Sequence, residues 1–173
     1  MRLNTLMLRA MMGIVAGGLT CSVALARTMT PTPTLTNEPV RPVVVPYAAS
    51  QGASAAVAGA FSRAKVSGRP VLLIFGGNWS PDCWAVSGVL ALPSVSAWVA
   101  QNFEVALVNV ARRNENMDIS RQYGAEVEAV PAVLVLSADG KLLNGGAVLA
   151  LSHARQMTSQ AIVDLLAAWG SKG

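Results

Sequence analysis

The stretch Val71–Cys83, VLLIFGGNWSPDC, constrains this chain more than any other. Five uninterrupted apolar residues, Val71–Phe75, run into two glycines and then into Ser80-Pro81. A strand covered on both faces reads as continuous Val, Ile, Leu and Phe, so Val71–Phe75 is predicted to lie at the centre of a parallel sheet. Ser80-Pro81 is a helix start. Proline has no N–H to leave unpaired in the first turn, and the serine hydroxyl before it accepts from an orphan N–H. With Ser80 as the cap, Pro81, Asp82 and Cys83 fill the first turn. A thiol then stands at the positive end of a helix, beyond the carboxyl end of a strand.

The flanking sequence supplies matching elements. Gln51–Val66 carries Val57, Ala60, Phe61 and Ala64 at helical spacing, with Gly68 closing the helix. After Pro81, the residues Cys83, Val86 and Leu90 share a stripe, which predicts that Cys83 faces inward. Pro93 breaks that helix, and a second piece over Val95–Gln101 offers Val95, Trp98 and Val99 to the core. Phe103–Val110 is a second buried strand, and Asn114–Tyr123 a short helix ended by Gly124. Ala132–Leu136, the Asp139-Gly140 turn and Lys141–Leu143 predict a hairpin. Thr158–Trp169 closes the chain as a helix with Ile162, Leu165, Leu166 and Trp169 inward.

The beginning of the chain reads differently. Arg2 and Arg9 precede a small, apolar, uncharged stretch over Ala10–Leu25, and Ala24-Leu25-Ala26 fits a small-x-small cleavage site. Residues 1–26 are therefore expected to be a secretory signal peptide cleaved after Ala26, which implies a periplasmic or secreted protein. Membrane contact is expected only through this segment if it is retained, since the run is short for a span. Residues 27–47, rich in proline and threonine, read as a linker or a disordered leader. One domain is expected over 48–173. Loss of the leader removes two of the 13 basic residues and no acidic one, so the net charge falls from +4 to +2. Such a charge gives no argument for nucleic acid, and the Arg112-Arg113 doublet reads as a solvated loop.

Leader cleavage also removes Cys21 and leaves Cys83 alone. An exported protein sits where disulfides persist, yet this one has no internal partner for its thiol. Three readings stay open: an inert buried residue, an intermolecular bridge, or a mixed-disulfide site. His153 is the sole histidine, so no metal set forms, and no cofactor is expected. Asn78–Asp82 lacks the nucleophile-elbow pattern, and neither Gly-Gly pair sits in a phosphate-loop frame.

From about Arg69 to Trp169 the chain resembles the thioredoxin family, in particular secreted bacterial members whose loop reads G-x-N-W-C-P-D-C. Asn78, Trp79, Pro81, Asp82 and Cys83 match residue for residue. The resemblance implies an α/β thioredoxin fold, with a mixed central β-sheet flanked by helices. It also implies thiol–disulfide exchange, in which the first cysteine attacks and the second resolves. The first cysteine is Ser80 in this chain. The buried Asp and Lys that thioredoxins proper often carry are replaced by Ile74 and about Leu107. Val130-Pro131 corresponds to the family's loop before a cis-proline, where a backbone can pair with an extended peptide. The expectation is an exported, monomeric protein without dithiol catalysis. It would bind an extended peptide or protein partner around Trp79, Pro81, Asp82, Val130 and Pro131. The alternative is a single-cysteine oxidoreductase acting through Cys83.

Overall fold

Alternation along one strand builds both cores. In the computed structural model, which describes residues 29–36 and 39–173, the apolar run forms β1 (Val71–Gly76) with every residue buried. Successive side chains of a strand face opposite ways. Val71, Leu73 and Phe75 thus enter one apolar cluster, and Leu72 and Ile74 enter the other. β2 (Glu104–Asn109) runs parallel along one edge of β1, with Val71 opposite Glu104 and Gly76 opposite Asn109. β3 (Ala132–Leu136) runs antiparallel along the other edge, with Phe75 opposite Ala132. The order β2-β1-β3 makes a mixed sheet flanked by helices, an α/β arrangement with β1 at its centre. The expected leader over 1–26, with Cys21, lies outside the described residues.

α1 (Ala53–Ser67) covers the first face through Val57, Ala60 and Ala64. Gly68 ends it at φ 69°, a left-handed turn that glycine adopts without a Cβ clash. α2 (Pro81–Leu90) and α3 (Pro93–Asn102) supply Val86, Val89, Val95, Trp98 and Val99 to the second face. Pro93 is the first residue of α3 as well as the break after α2, and the two helices meet at 83°. α4 (Met117–Arg121) is only one turn and a half, shorter than the predicted 114–123, because the loop before it turns left-handed at Asn116. α5 (Ser159–Gly170) is capped by the Thr158 hydroxyl, which accepts from the Ala161 N–H at 3.2 Å, and buries Ile162, Leu166 and Trp169.

Two elements differ from expectation. The predicted strand over Lys141–Leu143 shrinks to one bridge, Leu142 to Leu136. The Asn144 carboxamide takes over the pairing: its oxygen accepts from the Val135 N–H and its nitrogen donates to the Val133 carbonyl, both at 2.9 Å. The described residues of the proline-rich stretch form no helix or strand, but several of them lie against the domain. The Trp98 indole donates to the Thr30 carbonyl, Gln160 bonds Leu35 and Pro33, and the Val43 N–H donates to the Trp84 carbonyl.

At the amino end of β2, the buried Glu104 carboxylate accepts from Arg63 Nε at 2.8 Å and Ser67 Oγ at 3.0 Å, and pairs with Arg69. Burial alone would raise its pKa; the bonds from Arg63, Ser67 and Arg69 outweigh burial and hold it below the ordinary value. Glu104→Gln is expected to cost about 2 kcal/mol, the scale of hydrogen bonds to a charged group, read as urea unfolding near neutral pH. Because folding lowers this pKa, the wild-type advantage is complete above the unfolded value of about 4.3 and vanishes as pH falls through the native one. A gap between the two proteins that persists unchanged in strong acid contradicts this.

Candidate functional site

The end of β1 and the start of α2 form the site, and their local chemistry is set by four side chains in sequence. Ser80 sits at φ −96°, ψ 116°, and its hydroxyl accepts from the Cys83 N–H at 3.3 Å. It is an N-cap, buried, with Pro81 in the first helical position. Cys83 is fully buried and has no disulfide partner among the described residues. Asp82 does not face outward to a ligand. Its carboxylate is held in a fork by Arg155, accepting from the backbone N–H at 3.0 Å and pairing with Nε at 3.2 Å. That fork ties the first turn of α2 to the 3-10 turn Ala154–Gln156.

Trp79 is the exposed member, with 39% of its surface open. Its indole N–H donates to the Ala111 carbonyl, and the Arg112 guanidinium stacks 5.7 Å from the ring centroid. The 111–116 loop that receives it is unusual. Ala111, Arg113 and Asn116 have φ of 47°, 67° and 56°, the left-handed region that costs an L-residue energy unless its surroundings hold it. Asparagines hold it: Asn109 accepts from the Ala111 N–H at 2.9 Å, and Asn116 donates to the Ser50 and Asn109 carbonyls at 2.9 and 2.8 Å. Arg113 then reaches the Glu128 carbonyl. One loop therefore joins Trp79 to the segment carrying Val130 and Pro131.

Phe75 pairs with Ala132, so Pro131 lies beside Gly76 where the sheet ends. The Val130–Pro131 peptide is cis, and both residues are buried. Among the described residues, neither the N–H nor the C=O of Val130 has a hydrogen-bond partner. Trp79, Val130 and Pro131 thus gather at one end of the sheet, whereas Ser80, Asp82 and Cys83 are engaged beneath. His153 is exposed on the turn before α5, with Ser152 Oγ 3.0 Å from its Nδ1. Among the described residues, no group of three His, Cys, Asp or Glu side chains could hold a metal.

Tyr47, and the role of Asn78 in holding it, escape sequence reading. The Asn78 carboxamide grips the Tyr47 backbone twice, accepting from its N–H and donating to its C=O, each at 2.9 Å. The Tyr47 ring is buried against the end of β1. A Cβ on Gly76 would lie 2.2 Å from the Tyr47 hydroxyl and 2.6 Å from Cys83 Sγ, so only glycine fits there. Burial, and then the neighbouring Cys83 thiol, push the Tyr47 hydroxyl far above its ordinary pKa, so it keeps its proton. The available signal was slight: Tyr47 is the sole aromatic residue before Phe61.

Residues 53–138 match a family model described as thioredoxin-like. The chain is similar to the crystal structure of a disulphide isomerase from Xylella fastidiosa Temecula1. The two share 34% identity over 72% of this chain and 95% of that one, with a TM-score of 0.67. A protein of unknown function from Pseudomonas aeruginosa aligns at 22% identity over 67% of this chain and 82% of that one, with a TM-score of 0.39. No curated protein matches the chain.

Ser80→Ala removes the cap and leaves the Cys83 N–H without its acceptor. The expected loss is about 1 kcal/mol of unfolding free energy. An unchanged urea midpoint would show that the hydroxyl does not support the helix.

Proposed function

The chain belongs to the thioredoxin-like family, and from that premise we propose an exported member without dithiol catalysis that binds extended peptides. The observation that carries the first half is a serine where the attacking thiol is required, with its oxygen already used as a helix cap. Thiol–disulfide exchange needs a thiolate as attacking group and a second sulfur to resolve the adduct. A serine hydroxyl keeps its proton at neutral pH, and oxygen does not take the place of sulfur in a disulfide cycle. The remaining thiol is buried, which weighs against the single-cysteine alternative. Export rests on the leader-like composition of residues 1–26.

Support for binding comes from the other end of the site. An extended peptide gains affinity from main-chain hydrogen bonds and specificity from side-chain contacts. Among the described residues the Val130 N–H and C=O have no partner, and Trp79 offers a half-open aromatic face. Neither feature depends on the residue at position 80. The similarity to a disulphide isomerase from Xylella fastidiosa supports a thiol–disulfide family background.

Two assays test this reading. Insulin reduction by dithiothreitol is expected to run no faster with the protein than without it. Reduced, alkylated insulin B chain, used as an extended probe, is expected to bind, and Trp79→Ala is expected to weaken it about ten-fold, or about 1.4 kcal/mol. Catalytic insulin reduction contradicts the loss of function, and binding indifferent to Trp79 contradicts the docking surface.

A further inference from the structure

Tyr47 comes from outside the α/β core, yet it fills the space beside the buried Cys83 thiol. The 39–47 segment that carries it has no helix or strand. Among the described residues it is fastened by the double clasp from Asn78, the Val43 N–H to the Trp84 carbonyl at 3.3 Å, the Val40 side chain against the second apolar cluster, and close packing of the Arg41 carbonyl on Gly88. Val44 and Val45 between these points are 54% and 70% exposed. Segments held by few buried contacts open at a lower free energy than the core they cover. The plug is also imperfect. The Tyr47 hydroxyl is buried over Gly76 with the Cys83 thiol, a weak hydrogen-bond partner, beside it. A buried hydroxyl left with only a weak sulfur partner disfavours the closed state and is relieved when water reaches it.

We propose that Tyr47 is a gate over Cys83, and that lifting the 39–47 segment presents a concealed thiol that takes up one small disulfide stoichiometrically. In the open state the Cys83 thiol gives its proton to solvent. The thiolate attacks one sulfur of a disulfide R–S–S–R, a Cys83–S–S–R bond forms, and R–S⁻ leaves with the electron pair of the broken S–S bond. Cys83 is oxidised and the leaving thiolate is reduced. With a hydroxyl at position 80 there is no resolving thiol, so the adduct persists until an external thiol removes it.

The test follows release of the coloured thiolate when the mature chain, from residue 27, meets dithiobis(nitrobenzoate), an aromatic disulfide. Wild type is expected to react slowly and to completion at one thiolate per chain. Tyr47→Ala is expected to react at least about ten-fold faster, because the rate follows the open population. Tyr47→Phe keeps the ring and is expected to stay near the wild-type rate. Asn78→Ala, which removes the clasp and leaves the ring, is expected to fall between them. A natively folded Tyr47→Ala that is no faster overturns the gate, as does Tyr47→Phe matching Tyr47→Ala. Should circular dichroism show Tyr47→Ala unfolded, Asn78→Ala carries the same comparison. Urea supplies an independent readout: a wild-type rate nearly flat at low urea supports local opening. A rate rising with the full unfolding slope from the start overturns it. Binding of the alkylated B chain is measured separately, so failure of the gate leaves the peptide-docking reading intact.

Discussion

Everything in this molecule leans on the complete burial of β1. Its two edges are paired, by a parallel neighbour on one side and an antiparallel one on the other, and its two faces are covered by helices. Each residue that enters such a strand surrenders all contact with water, so each must be apolar and each must fit. Burying one large apolar side chain contributes roughly 1.5–3 kcal/mol, and five in succession commit the chain to a single register. A one-residue slip would exchange the two clusters and set Phe75 among the partners of Ile74. That rigidity delivers the backbone to Gly76 at a defined point. The Tyr47 hydroxyl and Cys83 sulfur crowd the same point too closely for any Cβ.

Beyond that point the scaffold divides its labour. The first turn of α2 is tied down at each polar group: Ser80 caps it, Asp82 is forked by Arg155, and Cys83 is roofed by Tyr47. The rim is less committed, with an open indole and an unpaired backbone at Val130. On the proposed reading this division is what remains when an attacking sulfur is exchanged for a hydroxyl. A nucleophile must be exposed and must have its charged form stabilised; a cap must be turned in toward the helix and is best left undisturbed. Ser80 meets the second description and not the first. The rim proposed for peptide docking uses different atoms and needs no change.

Local chemistry made much of this readable beforehand. The apolar run of β1, the Ser80-Pro81 helix start and the inward Cys83 each follow from interactions within a few residues, and each is found in the structure. Readings failed where a distant side chain replaced a backbone partner. The apolar residues of 141–143 match a strand, but Asn144 pairs with Val133 and Val135 in its stead, and no propensity encodes that exchange. Asn78 reads only as a match to the family's loop until Tyr47, 31 positions earlier, is found in its grip. The prolines of the leading stretch argue against helix and strand, and its described residues form neither, but prolines say nothing about whether an irregular segment adheres. Adhesion depends on Thr30 meeting Trp98 and Val43 meeting Trp84, contacts that span most of the domain.

The central claim is that one atom, the oxygen at position 80, separates this protein from the dithiol chemistry of its family. Equilibrating Ser80→Cys with mixtures of reduced and oxidised glutathione, and counting free thiols by mass after acid quench, addresses it directly. The account predicts that this variant closes an internal disulfide with a defined midpoint and acquires turnover toward insulin that wild type lacks. A variant that forms only glutathione adducts and stays inactive would contradict it, because the scaffold would then have lost more than a sulfur.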